Sequence, residues 1–219
     1  MAEFTVWQNS QLLAILRNTT GLMKYPGGRP VAANSRAIRD GDIIAKNTST
    51  NQACVCKFSE LSATAAQSQA LLTVDDAHPF QAADVITRTG AATEDLTIAS
   101  INYDTNVITC TGNVAVSGGF AVNDDIHVAT NNQDNPIGIA LTPLEDRNAR
   151  RTGLNANLVT DLVQTRQYGD IAIQGVFKLS AIRNFVVGTR MDTELGGADL
   201  ADNDTYIMSS IPAANYSLT

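Results

Sequence analysis

The chain has 219 residues, 44% of them hydrophobic and 17% charged, with a formal net charge of −7. A chain of this length buries roughly 70% of its unfolded surface and folds without staples, as one large domain or two modest ones. The acidic balance disfavours nucleic acid and anionic membranes as partners, since both call for a basic surface, and no stretch reaches the ~18–20 apolar residues of a membrane span.

The first forty residues read as an N-terminal arm. Glu3 stands where a secretory signal carries basic residues, and no long apolar run follows, so synthesis and folding in a cytoplasm are expected. Leu12, Leu13, Ile15 and Leu16 predict a short helix capped by Asn9 or Ser10. Tyr25-Pro26-Gly27-Gly28-Arg29-Pro30 then interrupts regular structure, and the chain to Asn34 is expected to run extended along a surface.

From residue 41 to 142 the sequence predicts strands joined by tight turns, forming a barrel core with its leading strands. An acidic or Gly-Asp turn opens directly into β-branched residues four times: Gly41-Asp42-Ile43-Ile44, Asp84-Val85-Ile86, Asp124-Asp125-Ile126 and Gly169-Asp170-Ile171. Phe80 and Phe120 each precede such an aspartate by four residues, about 40 residues apart, so a duplicated unit and a chance similarity both stay open. The clearest hairpin covers 95–111. There Leu96, Ile98 and Ile101 lead into Tyr103-Asp104-Thr105-Asn106, whose Asp and Asn fold back on their own backbone or accept positive φ, and Val107, Ile108 and Cys110 return. The Ala- and Gln-rich segment 59–72 is a second helix candidate, and Ile137-Gly138-Ile139-Ala140-Leu141 predicts a short buried strand.

Residues 143–219 form a C-terminal strand region and tail. Leu154, Leu158, Val159, Leu162 and Val163 fall near helical spacing, and residues 170–179 alternate as a long strand with Gly175 at a bulge or a close backbone approach. The acidic segment from Asp192 holds a last strand at Tyr206-Ile207-Met208, and both chain ends are read as arms that order against neighbours.

Groups that carry chemistry are sparse. Cys54, Cys56 and Cys110 are too few for a disulfide framework, and the first two share a strand face as small buried hydrophobes. His78 sits in a turn near Asp75 and Asp76, and His127 lies at even spacing from Asp125; neither set makes a metal site. No nucleophile elbow or phosphate-cradling loop is present, so neither an enzyme nor a cofactor is expected. Arg147, Arg150 and Arg151 form the one basic cluster, read as a solvated or interfacial patch beside Glu145 and Asp146. Arginine outnumbers lysine, which suits a chain bound to protein.

Taken together, Phe80-Gln-Ala-Ala-Asp-Val-Ile, the segment Leu96 to Thr109, Phe120-Ala-Val-Asn-Asp-Asp-Ile and Ile137-Gly-Ile-Ala-Leu resemble the small β-barrel of capsid decoration (cement) proteins of tailed bacteriophages. The match covers about residues 71–142, with a looser echo to 187. The resemblance implies a mainly β chain with a β-tulip-like barrel, an extended N-terminal arm, additional C-terminal strands and one or two short helices. It implies a non-enzymatic virion protein on the outer surface of a capsid, binding the major capsid protein, bridging capsomers and associating as a homo-oligomer, a trimer or else a dimer. The long N-terminal segment and the residues beyond the barrel exceed the smallest members of that family. Phe4, Val6 and Trp7 are the arm residues expected to contact the capsid by strand addition, with Arg147, Arg150 and Arg151 as further contacts. Two other readings remain: a head-fibre base or tail adaptor, and a carbohydrate-binding or hydrolytic β module. The second is poorly served by a single tryptophan and 5% aromatics.

Overall fold

The computed structural model describes residues 16–24, 29–30, 38–89, 94–141, 168–169, 171–185, 190–195, 197–200 and 205–208. The protein is mainly β and divides into two compact units. One spans Cys56–Asp134; the other is built from the flanking segments Met1–Val55 and Asn135–Thr219. The boundaries drawn from sequence at 40 and 142 are therefore not those of the compact units, because strands on either side of residues 56–134 pair with one another and with strands far along the chain.

The inserted unit holds six strands: β5 (Phe58–Glu60), β6 (Leu71–Thr73), β7 (Val85–Arg88), β8 (Asp95–Asn102), β9 (Val107–Cys110) and β10 (Asp125–His127). Their order is β5-β10-β7-β8-β9-β6. The two end strands also meet, through a bridge between Leu61 and Val74, with Ser62 N–H donating to Thr73 O at 3.0 Å and Asp75 N–H to Glu60 O at 2.9 Å. The sheet thus curls until its ends join, which leaves no long free edge and gives a small barrel-like fold. Alternation puts Leu96, Ile98, Ile108 and Cys110 inward, where they pack with Leu61, Leu72, Phe80, Ile86, Phe120 and Ile126 in one core. At the hairpin tip Asn102 Oδ1 accepts from the amides of Asp104 and Thr105, and Asn106 turns the chain at φ +53, as its sequence implies.

In the other unit, β3 (Ile43–Asn47) lies between β4 (Gln52–Val55) and β11 (Pro136–Ala140). Val55 pairs with Ile44 and Pro136 with Ala45, so the inserted unit departs and returns at one level of β3, about two strand spacings or ~10 Å apart. The sheet continues through β13 (Ile171–Lys178), which also pairs with β1 (Leu16–Lys24) and with β15 (Thr205–Met208); β14 (Gly197–Leu200) follows β15. Ala172 faces both Lys24 and Ile139, and Phe177 both Leu16 and Tyr206, so β13 is paired on both edges at each end. Gly138, at φ +156, lies where a Cβ would run into the Ala172 carbonyl, so β11 approaches β13 only with glycine there. A short helix, α1 (Arg190–Leu195), buries Met191 and Leu195. Arg29–Pro30 (β2) and Tyr168–Gly169 (β12) form a separate two-stranded pair.

Several sequence expectations meet these facts directly. The 95–111 hairpin, the strands at 137–141 and 206–208, and three of the four aspartate-led strand openings are present; Asp170 of the fourth lies outside the described residues. Gly175 is a close approach: a Cβ there would sit 3.2 Å from the Phe177 ring and 3.3 Å from Leu22. The helix expected over 59–72 is absent. That segment instead supplies β5, the Leu61 and Ala65 bridges and β6, since non-local pairing outweighs the helical propensity of its Ala and Gln residues. Leu16, expected at the end of an N-terminal helix, begins β1, and Arg29–Pro30 is paired rather than simply extended. The remainder of the 9–16 helix and the helix over 154–163 fall outside the described residues.

Candidate functional site

One turn recurs three times, at 39–42, 81–84 and 121–124. In each, the N–H of the fourth residue donates to the carbonyl of the first at 3.2 Å, and the third residue has positive φ: Gly41 at +80, Ala83 at +70 and Asn123 at +66. That is the hydrogen bond and the left-handed third position of a type II turn. The fourth residue is always aspartate, whose Oδ2 accepts the N–H of the first residue, at 2.6 Å for Asp42, 2.9 Å for Asp84 and 2.7 Å for Asp124. An apolar side chain just before the turn is buried: Ile38, Phe80 and Phe120. The copy at 39–42 stands in the other unit, so the device is not peculiar to the Phe80 and Phe120 segments and serves as a local way to start a strand.

Each aspartate also holds a cation, and burial grades the three pairs. Arg39 reaches Asp42 at 2.9 Å with its own side chain 31% exposed. Arg88 Nε lies 2.8 Å from Asp124 Oδ2, out of line for a hydrogen bond, with the guanidinium 5.2 Å from the centre of the Phe120 ring. Lys57 Nζ lies 2.5 Å from Asp84 Oδ1, with both side chains over nine-tenths buried. A pair this deep is dear to desolvate and dearer to break, so it serves as a fixed pin.

Lys57 belongs to the neck of the inserted unit, where the two connecting segments run side by side. Lys57 N–H donates to Gln133 O at 2.8 Å, Val128 N–H to Lys57 O at 3.1 Å, and Cys56 Sγ to Asp134 O at 3.3 Å. Asp134 is turned inward, with Oδ2 3.7 Å from His127 Nε2, while His127 Nδ1 shares a 3.2 Å hydrogen bond with Thr89 Oγ1. The two connecting segments are thus each anchored by a charged side chain, Lys57 on Asp84 and Asp134 on His127. The chemistry of this arrangement is positional: the hydroxyl orients the imidazole, and the carboxylate lies beside it.

Glu60 differs. It is buried, and its carboxyl is pushed above the usual range first by that burial, then by Asp125 and Asp75. The three cysteines are buried, and burial, reinforced by Glu94, raises the Cys110 thiol to about 11, so it stays protonated and unreactive at neutral pH. His78 is half-buried, with its amide on Asp76 Oδ1. Among the described residues no group of three or more His, Cys, Asp or Glu is arranged to hold a metal ion, and no helix is long and apolar enough to cross a membrane. Among the described residues the large apolar side chains that are exposed are Leu71, Val85, Tyr103 and Val122 in the inserted unit and Met23 and Ile207 in the other.

Phe4, Val6, Trp7, Arg147, Arg150 and Arg151 lie outside the described residues. The neck pins were missed from sequence, although a signal was present: Lys57 directly follows the apolar run Ala53-Cys54-Val55-Cys56, where a buried lysine demands a carboxylate partner. Compared with protein-family models, curated proteins and solved structures, the chain matches none.

Proposed function

We propose that this chain is a non-enzymatic structural protein of a tailed-phage virion, binding the outside of the capsid and bridging neighbouring capsomers. The observation that carries the reading is architectural: a barrel-like unit inserted through two connections into a sheet, with its buried charges spent on fixing the fold. An assembly of this kind binds through many identical weak contacts, so rigid placement of a surface matters more than any single strong site. The acidic net charge keeps coated particles from adhering to one another. The partners on this reading are the major capsid protein and further copies of the chain.

The test is to count copies of the chain against the major capsid protein in purified particles by quantitative mass spectrometry. Hundreds of copies are expected. A handful would move the protein to a vertex, fibre base or tail, and absence from particles would overturn the reading. The arm is tested separately: deleting residues 1–15 removes Phe4, Val6 and Trp7 and spares β1, whereas a longer deletion to 34 would strip β1 from β13. Loss of capsid binding with folding intact is expected for the shorter deletion.

A further inference from the structure

The join between β5 and β6 is where the curled sheet closes, and it is short. It consists of the Leu61–Val74 bridge, made by the Ser62–Thr73 and Asp75–Glu60 backbone bonds, and of the Asp76 amide on Ser59 Oγ at 3.1 Å. Glu60 stands at this join, paired across to Asp125 of β10, while the amide of Asp75, just past β6, bonds to its carbonyl. We propose that this join is a proton-controlled closure: Glu60, facing Asp125 and Asp75, loosens the β5–β6 junction when it ionises and tightens it when protonated.

The sign follows from the environment. Burial, then Asp125 and Asp75, disfavours the ionised form of Glu60, so the closed barrel holds this proton more tightly than the opened chain. The stabilisation is complete below the ordinary carboxylate range and is lost as pH rises through the elevated value. Ionisation places three negative groups around a join of two backbone bonds and one side-chain bond. Opening it frees the Ser62 and Asp75 amides and the Glu60 and Thr73 carbonyls, a short strand edge able to pair with another chain.

Amide hydrogen exchange on the full chain tests this, with protection factors for Ser62 and Asp75 compared against the Ile98 amide, which donates to Asp84 O away from the join. Between pH 4.5 and 7.5 the ratio of join protection to Ile98 protection is expected to fall, by about tenfold for each pH unit by which Glu60 is elevated. Glu60→Gln abolishes that fall, and Asp75→Asn, which keeps Glu60 and removes one neighbouring charge, reduces it. A ratio independent of pH in the parent chain overturns the proposal, as does a fall that persists unchanged in the variants.

Discussion

The barrel-like unit takes all its strands from one continuous stretch, 56–134, with β7–β8 and β8–β9 as sequence neighbours, whereas the sheet of the other unit draws β1, β3, β11, β13 and β15 from both sides of that stretch. Loop-closure entropy penalises the second plan more heavily, since β13 cannot meet β1 until most of the chain has been made. Charge is handled differently as well. The inserted unit encloses the Lys57–Asp84 pair, while the corresponding turn of the other unit leaves Arg39 partly in water. The lesson is that one turn is used in two settings, and its energetic weight is set by the surroundings rather than by the turn.

The strongest way to break this comparison is to separate the units. Residues 56–134 alone are expected to fold cooperatively with dispersed amide resonances, and residues 1–55 alone to remain unfolded. Joining 55 to 135 through a short flexible linker preserves the remaining sheet, because the two ends already flank the same residues of β3. An unfolded 56–134 fragment would show that the inserted unit depends on the rest of the chain.

A smaller effect sharpens the contrast in charge. Asp84→Ala leaves Lys57 buried and unpaired and is expected to cost about 3–5 kcal/mol by chemical denaturation, whereas Lys57→Met with Asp84→Leu recovers much of the loss. Arg39→Ala, which removes a partly exposed side chain from an Asp42 that is buried but still held by the Arg39 backbone N–H, should cost less, about 1–2 kcal/mol. Equal losses at the two turns would remove the distinction between them.

The smallest effect concerns the third turn position. Ala83 holds φ +70 without the freedom of glycine, so Ala83→Gly is expected to stabilise the protein by up to about 1 kcal/mol. Gly41→Ala runs the other way, because its Cβ would meet the Ala181 carbonyl as well as the strained φ. Thermal unfolding of the two variants reads both signs.

What the sequence made legible was local. The Asp-Thr-Asn hairpin, the aspartate before each β-branched run and the period-2 burial of 96–110 follow from chemistry within a few residues. Segment 59–72 was misread because its own composition favours helix, while its partners, Asp125, Phe120 and Thr109, lie about 40 or more residues away. Lys57 and Asp84 were each visible but not as a pair, since only the folded neck brings them together. Ile38 is a third anchor that a phenylalanine repeat does not reveal, since the position requires only a buried apolar side chain.

Passage of the chain from Val55 into the inserted unit and back at Asn135 has a topological consequence. A unit appended at a chain end is lost by one backbone cut at its linker. Here a single cleavage anywhere in residues 56–134, for instance at the exposed tip between Tyr103 and Asn106, leaves both resulting pieces covalently attached, one through β4 and the other through β11. Two cuts are required for any piece to be shed, and the Lys57–Gln133 and Val128–Lys57 bonds still tie the stumps together. The connection is therefore redundant against proteolysis.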